Sequence, residues 1–389
     1  MNQSVMGFNP VLHGLRGLAA LYVMLYHWNG TFKGLRVQLE QVTIFGEPWH
    51  WGFWLQFGWT GVLWFFVLSG YLLTAQMLAR PVDMSGASDF WLRRAMRIYP
   101  AVWAQLAILL PLVALTGNLK SFSWYQLLGN LGLWLSPFPG AVAPFNAVYW
   151  TLPIELLFYL ALPLLVWLFR RVNVWVFLAL ALAFTLSWRL GLYWQGKAGG
   201  VVGPQVAWVR DSMPGFFFVF ATGMALNRIQ LPWSDRARQA AVLLLVLAYG
   251  LLIQAMWARR ATPFMESTVL MLSDFVLATL SAAVVALLLK PLPGFLWLCS
   301  RPLVFLGEVS YGIYLWHFPI QRLMPKWFPG AFDGVMGSLW ALLVSSVLTL
   351  ALAWASYRWV ERPALDWLGR RARRKAIGRI ETRTSEGQT

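Results

Sequence analysis

Ten apolar runs, each long enough to cross a lipid hydrocarbon core, follow one another near residues 11–28, 57–79, 98–116, 151–170, 173–193, 213–228, 238–257, 267–289, 302–322 and 336–359. A run of about 20 apolar residues spans a bilayer as a helix, and in lipid the helix is the form in which one segment satisfies its own backbone hydrogen bonds. An eleventh run, near 124–135, is too short to span, contains Gly129, Asn130 and Gly132, and is followed by Pro137, Pro139 and Pro144. It reads as a re-entrant or interfacial piece. The expected fold is therefore an all-α, polytopic integral membrane protein with about ten spans. Only 12% of the 389 residues are charged, about half the share of a soluble domain.

An even number of spans puts both termini on one side, and the basic residues say which. With both termini in the cytoplasm, 21 of the 31 lysines and arginines fall inside, as the positive-inside rule requires. The N-terminus lacks a basic region followed by a small-residue cleavage site, so the first run reads as a retained span. The basic tail over 370–389 is expected to be disordered and to lie on anionic lipid, not on nucleic acid. Residues 1–369 then form a single membrane domain. One cysteine, Cys299, and four scattered histidines predict chemistry without a metal.

Against this apolar background the polar residues stand out. The first run, HGLRGLAALYVMLYHW, carries Arg16 and His27, which a helix places on one stripe roughly 16 Å apart along the axis. Such residues in a span mark a polar cavity or a partner. Arg16 falls in the inner half and His27 near the outer end. In YWTLPIELLFYL, Thr151 reads as a helix cap, Pro153 fits the first turn, and Glu155 sits where the helix dipole favours an anion. In LGEVSYGIYLWHFPI, Ser310, Tyr314 and His317 share one face, level with His27 and Glu155, and Gly312 and Pro319 are placed to bend the helix around a cavity. The loop expected after the second span, WLRRAMRIYP, sets Arg94 and Arg97 one turn apart at the cytoplasmic mouth, a fit for a phosphate-rich ligand.

Inner arginines with an outer histidine suggest a polyphosphate donor held inside and proton chemistry outside. An acyl-coenzyme A, whose long arm carries a thioester, would be the donor, and a hydroxyl outside the acceptor. Acyl transfer needs a base and a stabilised oxyanion. His27 is the expected base, because imidazole titrates near neutrality, with Glu155 its expected carboxylate partner. Tyr314, Ser69 and Trp150 are all candidates for the oxyanion donor. Each has a plainer role open to it: Arg16, Arg94 and Arg97 as topology anchors, Glu155 as a helix-start residue, His317 as a structural link, Ser69-Gly70 as close helix packing. The tryptophan-dense segment GEPWHWGFWLQFGW, with Trp49, Trp51 and Trp54, suggests sugar stacking.

These motifs resemble the integral-membrane acyltransferase-3 family over nearly the whole chain: HGLRGLAALYVMLYH, FFVLSGYLL at 65–73, RRAMRIYP at 93–100, YWTLPIELLFY at 149–159, FATGMAL at 220–226, LGEVSYGIYLWH at 306–317 and VERP at 360–363. The resemblance implies a ten-span enzyme that O-acylates sugars and other hydroxylated acceptors. It implies His27 as catalytic histidine, Arg16 as its essential companion, and Arg94 and Arg97 as the pair facing coenzyme A. Glu155, Tyr311, Tyr314 and His317 also occupy motif positions. Where the family commonly has an aspartate three residues before the arginine, this chain has His13. Arg16 must therefore pair elsewhere, with Glu308, Glu361 or the donor phosphates as candidates. Some relatives carry a fused extracytoplasmic hydrolase-like domain, which is not expected here. The expected reaction moves an acyl group, most simply acetyl from acetyl-CoA, to an exopolysaccharide or lipopolysaccharide glycan or its lipid-linked precursor at the bacterial inner membrane. A small hydroxylated metabolite such as a macrolide is a further acceptor class. A glycolipid flippase, or a non-catalytic membrane subunit, is the competing reading.

Overall fold

The computed structural model describes residues 8–35, 42–44, 47–49, 52–79, 84–115, 123–135, 142–198, 211–258 and 270–370. Trp51, His50 and the tail beyond Arg370 lie outside these. The helices are α1 (Pro10–Thr31), the short α2 (Phe53–Gln56), α3 (Gly61–Leu78), α4 (Met84–Leu115), α5 (Trp124–Leu131), α6 (Thr151–Arg171), α7 (Val174–Ala198), α8 (Met213–Ala225), α9 (Asp235–Ala258), α10 (Leu270–Leu288), α11 (Arg301–Glu308), α12 (Ser310–Trp327) and α13 (Gly334–Ser356). One small antiparallel ribbon, Val42–Ile44 with Glu47–Trp49, qualifies the all-α expectation.

Six helices among the described residues are long and apolar enough to cross a membrane, and two more, within α8 and α10, are apolar but shorter. The chain is a membrane protein. Leucines such as Leu164, Leu243, Leu244 and Leu343 face outward, where a lipid solvent accepts them. The short run near 124–135 forms α5, whose Asn130 is buried and joins Gln126 and Ala143 by donating to both carbonyls.

Two sequence-based boundaries move. RRAMRIYP is helical, not a loop: α4 runs through Pro100 and Pro111 without a break. A membrane helix tolerates proline when neighbours satisfy the freed carbonyl. The ninth apolar run is split at Val309 into α11 and α12.

The freed carbonyls are visible twice. Pro319 gives no N–H to the carbonyl of Leu315, which instead accepts from Gln105 Nε2 at 2.6 Å and Asn146 Nδ2 at 2.9 Å. Pro163 leaves the Tyr159 carbonyl in the same state, and Trp91 Nε1 fills it at 2.9 Å. Each proline thereby creates a cross-link to another helix.

Small residues set the closest helix contacts. A side chain at Gly70 would collide with the Phe220 carbonyl, and one at Gly223 with that of Val67, so α3 and α8 lie backbone against backbone. Phe66 stacks on Phe220 at 4.6 Å and Phe158 on its other side at 4.1 Å. Gly70→Val is expected to cost about 1–3 kcal/mol as an overpacking change. Thermal unfolding of the detergent-solubilised protein checks this, and an unchanged midpoint refutes it.

Candidate functional site

A cavity of about 170 Å³ lies between α1, α3, α4, α6 and α12, lined by Arg16, Ser69, Gln76, Arg94, Arg97, Glu155, Tyr159, Ser310, Tyr311 and Tyr314 among others. The three arginines come from two helices far apart in sequence, each held by a different neighbour. Arg94 Nη2 donates to Gln76 Oε1 at 3.1 Å. Arg97 pairs with the buried Glu361 at 3.0 Å and lies over the Tyr311 ring at 5.7 Å. Arg16 Nη2 donates to Ser310 Oγ at 3.2 Å.

That last contact answers the question raised by His13. Glu361 is taken by Arg97, and Arg16 meets a hydroxyl, with Glu155 the carboxylate lining the same cavity. Gly307 packs directly on the His13 carbonyl, so position 13 works as a helix-contact position. Glu361 ends a π-helical turn, Tyr357–Glu361, in which Ser356 donates to its Oε1 at 3.2 Å. Such wide turns often occur at functional sites.

The expected partnership of Glu155 with His27 is not found. The helical path into α6 starts earlier than the sequence suggests: a 3-10 turn, Ala147–Trp150, capped by Asn146, leads straight into it. Thr151 therefore does not cap; its Oγ1 meets the Tyr314 hydroxyl at 2.9 Å. Glu155 falls more than a turn inside, faces the arginines, and accepts from the Tyr159 hydroxyl at 2.5 Å.

His27 finds another partner. Its Nδ1 lies 3.0 Å from His317 Nε2 and 3.1 Å from the Val23 carbonyl. His317 is fully buried, and its own Nδ1 lies 2.8 Å from the Ile313 carbonyl. A carbonyl can only accept, so each Nδ1 carries a proton. His317 Nε2 then has a free lone pair, and it accepts from His27. The consequence is a single tautomer for neutral His27, with its Nε2 lone pair unused by any hydrogen bond among the described residues.

Tyr314 connects the two halves. It lines the arginine cavity, and its ring stands 5.9 Å from that of His317. Its hydroxyl is engaged by the Val148 carbonyl at 2.9 Å as well as by Thr151. Ser69 lines the cavity with no hydrogen bond to its hydroxyl among the described residues. Trp150 packs 6.2 Å from Phe216 and is not in the cavity wall. Tyr311 donates to the Ile98 carbonyl at 3.2 Å, fixing α12 against α4. Trp54 is partly exposed and its carbonyl accepts from Tyr22.

The arrangement can hold an anion with three guanidinium groups against two carboxylates, and can accept a proton at His27. Ser310, Gln76, Tyr159 and the Glu361–Arg97 pair were not assigned these contacts from sequence. The VERP motif and the Glu–Leu–Leu–Phe–Tyr spacing, which sets Glu155 and Tyr159 one turn apart, were the available signals.

Comparison with known proteins shows the family. The profile of a family described as an acyltransferase domain, Acyl_transf_3, matches residues 9–358. Nodulation protein 10 of Rhizobium leguminosarum bv. viciae is 28% identical over 375 residues, covering 90% of this chain and 92% of that protein. Peptidoglycan O-acetyltransferase OatA of Listeria monocytogenes is 26% identical, covering 91% of this chain and 55% of its own length. O-acetyltransferase OatA of Staphylococcus aureus is 22% identical, with 91% and 57% covered. This chain thus spans little more than half of either OatA protein. No solved structure matches.

Proposed function

The chain belongs to the acyltransferase-3 family, and from that premise we propose that this enzyme transfers an acyl group, acetyl in the first instance, from cytoplasmic acyl-CoA to a hydroxyl of an envelope glycan. The acceptor is an exopolysaccharide or lipopolysaccharide, or its lipid-linked precursor, at the outer face of the bacterial inner membrane. The topology has ten spans and cytoplasmic termini: α1, α8, α10 and the α11–α12 pair supply the four spans that are shorter or more polar than the six long helices.

The observation that carries the reading is the hydrogen-bonded pair His27–His317, whose His27 shares α1 with Arg16 of the arginine cavity. Arg94, Arg97 and Arg16 bind the donor phosphates as multidentate donors. His27 Nε2 takes the proton of the acceptor hydroxyl as its oxygen attacks the thioester carbonyl. The tetrahedral oxyanion, stabilised by a donor such as Ser69, collapses, the C–S bond breaks, and the thiolate leaves toward the arginines. His317 and the Val23 carbonyl keep the His27 proton on Nδ1, so the lone pair stays on the reacting side. A flippase has no need of a histidine held in one tautomer beside an anion cavity.

Isotopically labelled acetyl-CoA supplied to the cytoplasmic side of membrane vesicles, followed by mass spectrometry of the glycan, tests this. Label in ester linkage is expected only when the chain is present. Unlabelled glycan in both preparations would sink the reading.

A further inference from the structure

A second cleft opens at the other end of the histidine helices. Its volume is about 420 Å³, and Thr31, Lys33, Phe328, Phe332 and Asp333 are among its lining residues. It lies between the ends of α1 and α12 and the start of α13. Thr31 is one turn beyond His27, roughly 6 Å along α1, on the side away from Arg16. Pro325, also in the lining, is two turns beyond His317, roughly 12 Å along α12. The cleft thus continues the direction that leads from the arginine cavity to the histidine pair.

Its walls are tied together. Gly34 N donates to Ser338 Oγ at 3.0 Å, and Trp28 Nε1 donates to the Ser338 carbonyl at 2.8 Å. Phe32 and Phe332 meet edge to face at 5.7 Å. A side chain at Gly34 would collide with the Gly334 carbonyl. Gly330 and Gly334 hold φ of 78° and 70°, values that suit glycine. This is a preformed concavity.

The lining chemistry is of one kind. Lys33 offers donors and Asp333 acceptors, and neither side chain makes an ion pair or hydrogen bond among the described residues. Phe328 is 58% exposed at the rim. Separate donor and acceptor groups beside an open aromatic face match a saccharide, whose hydroxyls both donate and accept and whose ring carbons pack on aromatic surfaces.

We propose that this cleft is the acceptor subsite, holding the sugar units next to the one whose hydroxyl reaches His27. The assignment rests on the glycan-acylation reading above. Cells carrying the full chain with Asp333→Asn, Phe328→Ala, both together, Lys33→Gln or Asp333→Glu are scored for ester-linked acyl groups on extracellular glycan by mass spectrometry. Folded protein is measured in parallel by size exclusion of a fluorescent fusion. The double variant is expected to lose at least tenfold of the ester, Lys33→Gln several-fold, and Asp333→Glu little, with the folded peak unchanged. Wild-type ester in the double variant overturns the subsite and leaves the cleft to lipid. Ester lost only in step with the folded peak, in every variant including the exposed Lys33→Gln, overturns it too, because the cleft is then scaffold. Cells without the chain separate the two levels: ester equal with and without the wild-type chain removes the acylation reading itself, whereas ester that depends on the chain but is kept in the cleft variants removes only the subsite.

Discussion

His27→Ala is expected to lower acyl transfer by about 10²–10⁴-fold, the usual contribution of a positioned general base, while the protein still folds in the membrane. His27 is half-buried and its ring touches Tyr26 and Phe318 at centroid distances of 4.9 Å. Alanine therefore costs some packing but leaves no unpaired charge. His317 acts one step back, as a positioning residue. His317→Ala removes one acceptor for the His27 Nδ1 proton and leaves the other, the Val23 carbonyl, so its loss should be smaller. His317→Gln supplies an amide oxygen in place of the ring nitrogen and should recover part of that loss, which a purely structural role for His317 would not produce. Rates of ester formation in vesicles read all three variants. Full activity in His27→Ala would end the base assignment.

The second large effect concerns stability. Arg189 of α7 and Asp274 of α10 form an ion pair at 3.0 Å with 1% and 0% of their side chains exposed. Arg189 also donates from Nε to the Gly215 carbonyl of α8 at 2.9 Å, and its guanidinium lies 4.5 Å from the Phe275 ring. Three helices thus meet at one cation. Removing it strands a carboxylate in an apolar interior, which costs about 3–5 kcal/mol, whereas replacing both partners by apolar residues is often neutral. Arg189→Leu should accordingly unfold at markedly lower temperature, and Arg189→Leu with Asp274→Leu should regain most of the difference. A single variant as stable as wild type would show that the pair is solvated or that the helices repack around it.

Much of this architecture was legible because lipid imposes so coarse a rule. Length and hydropathy alone mark a spanning helix, and no knowledge of neighbours is needed. Arg94 and Arg97 were legible as a pair from their three-residue spacing, which the helical α4 turns into one turn. The errors came where tertiary context decides. Nothing local in YWTLPIELLFYL says that a 3-10 turn precedes Thr151, or that Glu155 lines the cavity of the arginines and not the histidine pair. The His27–His317 bond joins residues 290 positions apart; sequence reasoning put both at one depth but cannot rotate two helices until their rings face. Arg16 found a hydroxyl instead of an acid because Glu361 was already held by Arg97, a competition visible only in space.

The carbonyl of Leu315 is a mechanical fastening. With Gln105 of α4 and Asn146 bonded to it, the helix that carries Tyr314 and His317 is fastened to the helix that carries Arg94 and Arg97. Trp91 fastens α4 to α6 in the same way. A change in bilayer thickness tilts spans whose grip on their neighbours is apolar, but α12 and α6 are pinned by their backbone carbonyls to side chains of α4. The separation between anion cavity and histidine pair is therefore set by hydrogen-bond lengths, and the outer helices can follow the membrane without altering how far an acyl group has to travel.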